Sequence, residues 1–332
     1  MMTWHPTRPT ELEECLSINP KGMGHELVGH ARALAVWQWL LKGQSTQAFA
    51  IESDELIQGN RIVGFGASVF VSAAFAEREL ADPKPGLNAR LISGIASGQA
   101  IVLSAKQIGY ENAQGRLHSI VLQGGSMLEG LTPEQCQDVL RQVSLGVIGC
   151  LDGYQVRRAL METPSAADIE HAKLFPIWKV RSTHEDFHRN NPGNSWNRDR
   201  VLFAIDCADG PTFVVRGGLE PVLRLRRSDQ ELLAAAMNGS TDMELSKELG
   251  LKLPTLKKRW AAVFNRVAIA KPDLLPGHDD HLDRQARGRQ KKHRLLAYVR
   301  EHPQELRPFL HTQMSQKRSS SQPGSASTSM GK

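Results

Sequence analysis

No stretch of this 332-residue chain stays apolar for the roughly 18 to 20 residues that a bilayer-crossing helix needs, because polar side chains interrupt every apolar run earlier. The sequence therefore predicts no membrane span. The amino terminus, MMTWHPTRPTELEE, lacks a basic start followed by an apolar stretch, and it lacks a small-residue cleavage site. That argues against secretion. Cysteine is scarce: Cys15, Cys136, Cys150 and Cys207 stand far apart with no Cys-x-x-Cys pair, the pattern of buried thiols in a reducing cytoplasm. What is present is ordinary globular material, 40% hydrophobic and 23% charged, long enough for about two domains whose cores need no disulfide or metal staple.

The formal net charge of +6 is distributed unevenly. Residues 222–332 hold 21 Lys+Arg against 11 Asp+Glu, net +10, whereas residues 1–221 hold 20 against 24, net −4. Such asymmetry fits an anion-binding module attached to a neutral or acidic domain. Chance variation between domains is the competing reading.

Along the chain, residues 24–41 carry apolar side chains at helical spacing, and 47–52 and 61–71 read as strands. Helices are predicted over 72–80 and 85–96, a short strand over 117–123, and a long helical pattern over 132–162 with interruptions near Gly146, Gly149 and Gly153. Residues 175–181 and 201–215 again look strand-like, and 188–197 is turn chemistry. The expected fold class is α+β: a mixed α/β amino-terminal domain over 1–220, then an all-α domain over 222–270. A basic helical extension over 279–310 and a disordered, Ser- and Gly-rich tail over 313–332 complete the expected organisation.

The most regular punctuation lies in residues 228–268. Ser228 with Glu231, and Thr241 with Glu244, each have the spacing of a helix-capping box, while Gly239 and Gly250 mark helix ends and Pro254 suits a first helical turn. On the third helix, Leu256, Trp260, Val263 and Val267 fall within about 60° of one another at ~100° per residue and predict a buried face. Lys258, Asn265 and Ala261 fall opposite, with Lys257 and Arg259 on the flanks. A slim cationic outer face on a third helix suits entry into a DNA major groove. A plain three-helix bundle with a solvated basic face is the alternative.

Residues 225–268 resemble the LuxR/GerE-type helix-turn-helix family, on Glu231, Leu233, Gly239, Glu244, Leu245, Leu249, Gly250, Leu251, Thr255, Leu256 and Lys257. The resemblance implies that Thr255, Lys257 and Lys258 face DNA. Trp260, Arg259 and the Leu225-Arg226 opening depart from the family pattern. The resulting expectation is a cytoplasmic DNA-binding transcriptional regulator that acts as a homodimer on duplex DNA, under control of a small-molecule effector or a partner at the front domain. Thr255, Lys257, Lys258, Arg259, Ala261 and Asn265 would meet the duplex, with no catalytic residue, metal or cofactor.

Other patterns are weaker. His184 to His188 has the His-Glu-x-x-His spacing of zinc proteases, but it follows a strand-like run and meets Asn-Asn-Pro-Gly at once, and Thr183 with Asp186 reads as the cap of a single turn. His25 and His30 lie five apart and would not share a helix face. Gly64 and Gly66 sit inside a strand pattern without the helix start of a dinucleotide loop, and the His278 to Asp283 cluster reads as a hydrophilic linker. The front domain has a look of the GNAT-like acyltransferase fold, through strand pieces, paired early helices and a strand over 117–123 entering a helix. The acyl-CoA pyrophosphate loop of that family is absent, and Gln123-Gly124-Gly125 only echoes it. An acetyl-CoA-dependent acyltransferase is thus the second reading, and a cleft opened by splayed strands would favour it.

Overall fold

The structure, a computed structural model, describes residues 2–18, 25–42, 45–57, 59–163, 179–190, 201–206, 220–237, 239–275 and 284–310. A seven-stranded mixed sheet forms the body, in the order β1-β2-β3-β4-β5-β7-β6. Its strands are β1 (Met2–Pro6), β2 (Thr46–Ile57), β3 (Asn60–Val71), β4 (Leu117–Ser126), β5 (Val156–Thr163), β6 (Lys179–Ser182) and β7 (Val201–Asp206). Strands β1 to β4 are antiparallel neighbours, β4 and β5 are parallel, and β7 pairs antiparallel with both β5 and β6.

Strand β3 is buried along ten consecutive residues from Ile62 to Val71, as a central strand covered on both faces must be. One face is covered by α1 (Leu12–Ile18), α2 (His25–Val28), α3 (His30–Lys42), α4 (Ala73–Ala81) and α5 (Leu87–Ala96). Its core gathers Leu16, Trp37, Leu40, Phe65, Leu91 and Leu122. The other face carries α6 (Ala105–Ala113) and α7 (Pro133–Leu151), over a core that includes Phe70, Ile108, Val121, Leu151, Tyr154 and Phe203.

Several local expectations are corrected. The single helix over 24–41 is two helices, α2 and α3, because Gly29 takes φ +78°, a left-handed conformation that ends a helical turn. The long helical pattern over 132–162 is α7 followed by β5, with Gly153 at φ +81° in the turn between them. The glycines that looked like interruptions are instead points of close approach. A Cβ on Gly146 would collide with the Phe49 ring, and one on Gly149 would lie 2.6 Å from Trp4. Helix α7 can therefore lie directly on β1 and β2 only where its side chains vanish. Strand β1, helix α1 and helix α6 are elements beyond those expected from periodicity.

After β6 come α8 (His184–Asn190) and then the helical head, with α9 (Arg227–Ala236), α10 (Asp242–Glu248), α11 (Leu253–Ala270) and α12 (Arg284–Glu301). The expected Ser228–Glu231 cap is corrected: the cap is Arg226, two residues earlier, Asp229 accepts from the Arg226 amide at 3.1 Å, and Glu231 pairs with Arg227 at 2.9 Å. The Thr241–Glu244 box is present, with the Glu244 carboxylate accepting from the Thr241 amide at 2.7 Å. Leu295, Leu296 and Val299 of α12 share one core with Leu232, Leu256, Trp260 and Val263, so the basic helix closes the head.

The segment after α12 ties the head to the sheet. Glu305, fully buried, accepts from the amides of Val222 at 2.9 Å and Leu223 at 3.0 Å, and Gln230 donates to the carbonyls of Glu305 and Arg307. Burial raises the Glu305 carboxyl above its ordinary pKa, while those two amides oppose the shift. Arg307 then donates to the carbonyls of Asp152 at 2.8 Å and Gly149 at 3.2 Å, and Asn112 donates to the Pro308 carbonyl at 2.9 Å.

Candidate functional site

The distinctive feature of the sheet lies between β4 and β5. Their parallel register runs from Leu117↔Val156 to Val121↔Met161 and then stops. Both strands continue: β4 to Ser126 along β3, and β5 to Thr163 along β7. Past Val121 and Met161, two strand edges therefore face each other without a shared ladder, and the backbone donors and acceptors on those edges need another partner.

Two elements frame this opening. The first is Glu162, one residue beyond the last β4–β5 pair and 1% exposed. Its two carboxylate oxygens accept from the amides of Gly86 at 2.7 Å and Leu87 at 2.6 Å, at the start of α5. A carboxylate held by helix N-terminal amides is stabilised in its charged form and fixes the helix against the strand. With both oxygens engaged, Glu162 positions α5. Sequence reasoning missed it, since a lone glutamate in a run of helix formers gives no local signal.

The second is the β4-to-α7 connection, Met127-Leu128-Glu129-Gly130-Leu131-Thr132. Helix α7 opens with Pro133, which has no amide hydrogen to offer, and Glu134 lies in its first turn. Thr132 caps the helix itself, accepting from the Gln135 amide at 3.3 Å. Hydrogen bonding holds the Glu134 carboxyl below its usual pKa, so the turn carries a negative charge. A helix start of this composition is a poor diphosphate cradle, which matches the missing Gly-rich loop.

Elsewhere on β4 stands His118, its second residue and 4% exposed, whose Nδ1 has no hydrogen-bond partner among the described residues. Burial lowers its pKa, with the Arg158 and Arg157 charges adding to the effect against Glu77 and Glu111. It stands at the paired end of the strand, away from the opening.

The residues singled out in the sequence lie on the head. Thr255, Lys257, Lys258, Ala261 and Asn265 are exposed and Arg259 is half-buried. Leu256, Val263 and Val267 are fully buried, as is most of Trp260. The Lys292 ammonium stands 5.0 Å from the Trp260 ring centroid and 3.2 Å from Asp242. This face is therefore built, but none of these residues is near the β4–β5 opening in sequence or in the sheet. His184 and His188 belong to α8 by backbone, while their side chains, and the cluster from His278 to Asp283, lie outside the described residues. Among the described residues no group of His, Cys, Asp and Glu is arranged to hold a metal, and no helix is long and apolar enough to cross a membrane.

No family model matches the chain, and no curated protein matches it. Solved structures do. It is similar to FeeM, an N-acyl amino acid synthase from uncultured soil microbes, at 12% identity and TM-score 0.34, covering 63% of this chain and 92% of that one. It is similar to the C-terminal condensation domain of Ebony bound to β-alanyl-dopamine, at 13% identity and TM-score 0.33, covering 61% and 98%. A variant of the spermidine N-acetyltransferase SpeG from Vibrio cholerae matches at 7% identity and TM-score 0.33, covering 61% and 94%. These findings correct the expectation of a DNA-binding transcriptional regulator with duplex DNA as its partner: the solved structures named here are an N-acyl amino acid synthase, a condensation domain and an N-acetyltransferase, and none is described as a DNA-binding protein. Thr255, Lys257, Lys258, Arg259, Ala261 and Asn265 are accordingly not carried forward as a DNA-contacting set.

Proposed function

We propose that the α/β body is an acyltransferase that moves an acyl group from a pantetheine thioester to an amine. The observation that carries this reading is the loss of pairing between β4 and β5 after Val121 and Met161 while both strands run on. An extended chain that bears its own amides fits between two such edges by the bonding that adds a strand to a sheet. The pantetheine arm is such a chain, and it ends in the thiol that carries the acyl group. Its insertion would set the thioester carbonyl beside backbone amides able to stabilise the oxyanion of the tetrahedral intermediate. The acceptor nitrogen then attacks that carbonyl, the C–N bond forms, the C–S bond breaks, and the thiol leaves as the nitrogen sheds its proton. The GNAT-like look of the sequence points the same way and implies acetyl-CoA as a donor.

The test is thiol release. Acetyl-CoA and octanoyl-CoA, offered with a panel of amines and amino acids, are expected to yield free thiol at an acceptor-dependent rate. A rate equal to that without protein across the panel contradicts the reading.

For the head we propose only a kinship of fold, that residues 225–268 are of the LuxR/GerE-type helix-turn-helix. In support stand the Thr241–Glu244 cap, the left-handed Gly239 and Gly250, and the inward Leu256 and Trp260. Residual dipolar couplings that set α10 and α11 nearly parallel would remove this kinship, since the motif crosses its helices at about 90 to 120°.

A further inference from the structure

On the sheet face opposite α7, helices α3 and α5 leave a cavity of about 510 Å³ open to solvent. Its walls are mostly apolar, with Ala35, Val36 and Trp39 from α3, Ile95 and Ala96 from α5, and Val102 behind them; Gln99 contributes an amide. Trp39 remains 55% exposed, an uncovered indole on a wall that is otherwise aliphatic. The wall is fixed to the sheet. Val102 bridges Val71, the Ser72 amide donates to the Ile101 carbonyl at 2.8 Å, and the Leu103 amide donates to the Phe70 carbonyl at 3.0 Å. A preformed concavity of this size, mostly apolar with one charged side chain, Arg32, and one amide, Gln99, has the character of a small-ligand site.

The anchor is Arg32 at the rim. Its Nη2 donates to the Ala96 carbonyl at 2.7 Å, and no carboxylate pairs with it among the described residues. That one bond holds the guanidinium over the cavity with other N–H groups left to donate. Arg32 and Trp39 are seven residues apart on α3, hence on one face and about 10.5 Å apart along the axis. We infer that this cavity binds a medium-chain aliphatic carboxylate, with the carboxylate on Arg32 and the chain lying along Ala35 and Val36 to Trp39. The linear form follows from that separation, since the charge and the indole stand two helical turns apart. Because Val71 pairs with His118 at the start of β4, the site lies near the paired end of that strand, away from the β4–β5 opening. It does not depend on the acyltransferase reading.

The experiment uses the full chain and decanoate below its micellar range, followed by tryptophan fluorescence and by calorimetry, with decan-1-ol and decyltrimethylammonium as comparison ligands. Decanoate is expected to bind saturably, at least tenfold more tightly than decanol, and the cationic amphiphile is expected not to bind. Trp39→Phe is expected to abolish the fluorescence change while calorimetric binding persists. Arg32→Leu is expected to reduce decanoate to the affinity of decanol, and Arg32→Lys to retain part of the preference; both residues are exposed, so circular dichroism should remain unchanged. Absence of saturable binding, equal affinity for decanoate and decanol, or a fluorescence change that survives in Trp39→Phe overturns the inference. Hydrogen-exchange protection must fall on residues 32–39 and 95–102; protection on 122–126 instead would place the ligand in the β4–β5 opening and also overturn it.

Discussion

The guanidinium of Arg307 lies 4.8 Å from the ring centroid of Tyr154 and closes the segment leaving the helical head onto the end of α7. The same group reaches the carbonyls of Gly149 and Asp152 and the side chain of Gln47, so one side chain joins head, helix and sheet. Burial raises the pKa of Tyr154, and the nearby Arg307 charge counters part of that rise.

Removing this fork should loosen the junction. Arg307→Ala is expected to cost about 2 to 4 kcal/mol in denaturant unfolding, as loss of a charged donor to several buried acceptors does. Arg307→Lys is expected to recover only part of that, because an ammonium cannot reproduce the planar fork. Equal stability of Arg307→Ala and wild type would show the contacts to be incidental.

Gly153 allows the strap to sit. A Cβ there would lie 2.6 Å from the Gln304 backbone nitrogen and 2.7 Å from the Pro303 carbonyl carbon, at φ +81°. Gly153→Ala should therefore cost well over the ~1 kcal/mol of left-handed strain alone. Gly239→Ala, also left-handed but facing open space, is the internal control and should cost only that strain. Similar losses at the two positions, read by thermal unfolding, would contradict the packing.

Glu162 should behave as a positioning residue. Glu162→Ala leaves the Gly86 and Leu87 amides unpaired, and about 2 to 3 kcal/mol of stability should be lost, with faster amide exchange at the start of α5. Glu162→Gln keeps one acceptor and should fall between. Unchanged exchange at residues 86–90 in Glu162→Ala would count against this assignment.

His118 supplies a pH dependence whose sign is fixed by its lowered pKa. The neutral ring is favoured in the folded protein, so its contribution to stability is complete above the ordinary value of 6.5 and is lost as pH falls through the lower, folded value. Unfolding free energies of wild type and His118→Phe, compared from pH 7.5 downward, should diverge in slope only below about 6.5. Parallel curves would show that the ring charges without penalty.

What was legible in the sequence was local. The inward face of α11 follows from Leu256, Trp260, Val263 and Val267 recurring at helical spacing, and β3 from a run of apolar residues whose two glycines open no helix. What was not legible was pairing between distant segments. Strand β5, Val-Arg-Arg-Ala-Leu-Met-Glu-Thr, is rich in helix formers and is a strand only because β4 and β7 flank it. Gly146 and Gly149 look like helix breakers until Phe49 and Trp4, about a hundred residues or more away, are set against them. The candidate site is the end of one such pairing, so no motif marks it. The head is legible because its caps and turns lie within a few dozen residues of one another.

The acidic start of α7 makes a further demand on the acyltransferase reading. With Pro133 and Glu134 where a diphosphate would need amides, acyl-pantetheine and acyl-CoA should bind within a few-fold of each other. A hundredfold preference for acyl-CoA would mean that the nucleotide end is gripped by groups outside this account.

The most direct measurement is amide hydrogen exchange on the full chain with and without a saturating acyl-CoA whose binding is first established by calorimetry. Protection is expected to concentrate at residues 122–126 and 161–163, the edges that β4 and β5 leave to each other. No binding heat, or protection that falls elsewhere with those edges unchanged, would contradict the acyltransferase reading.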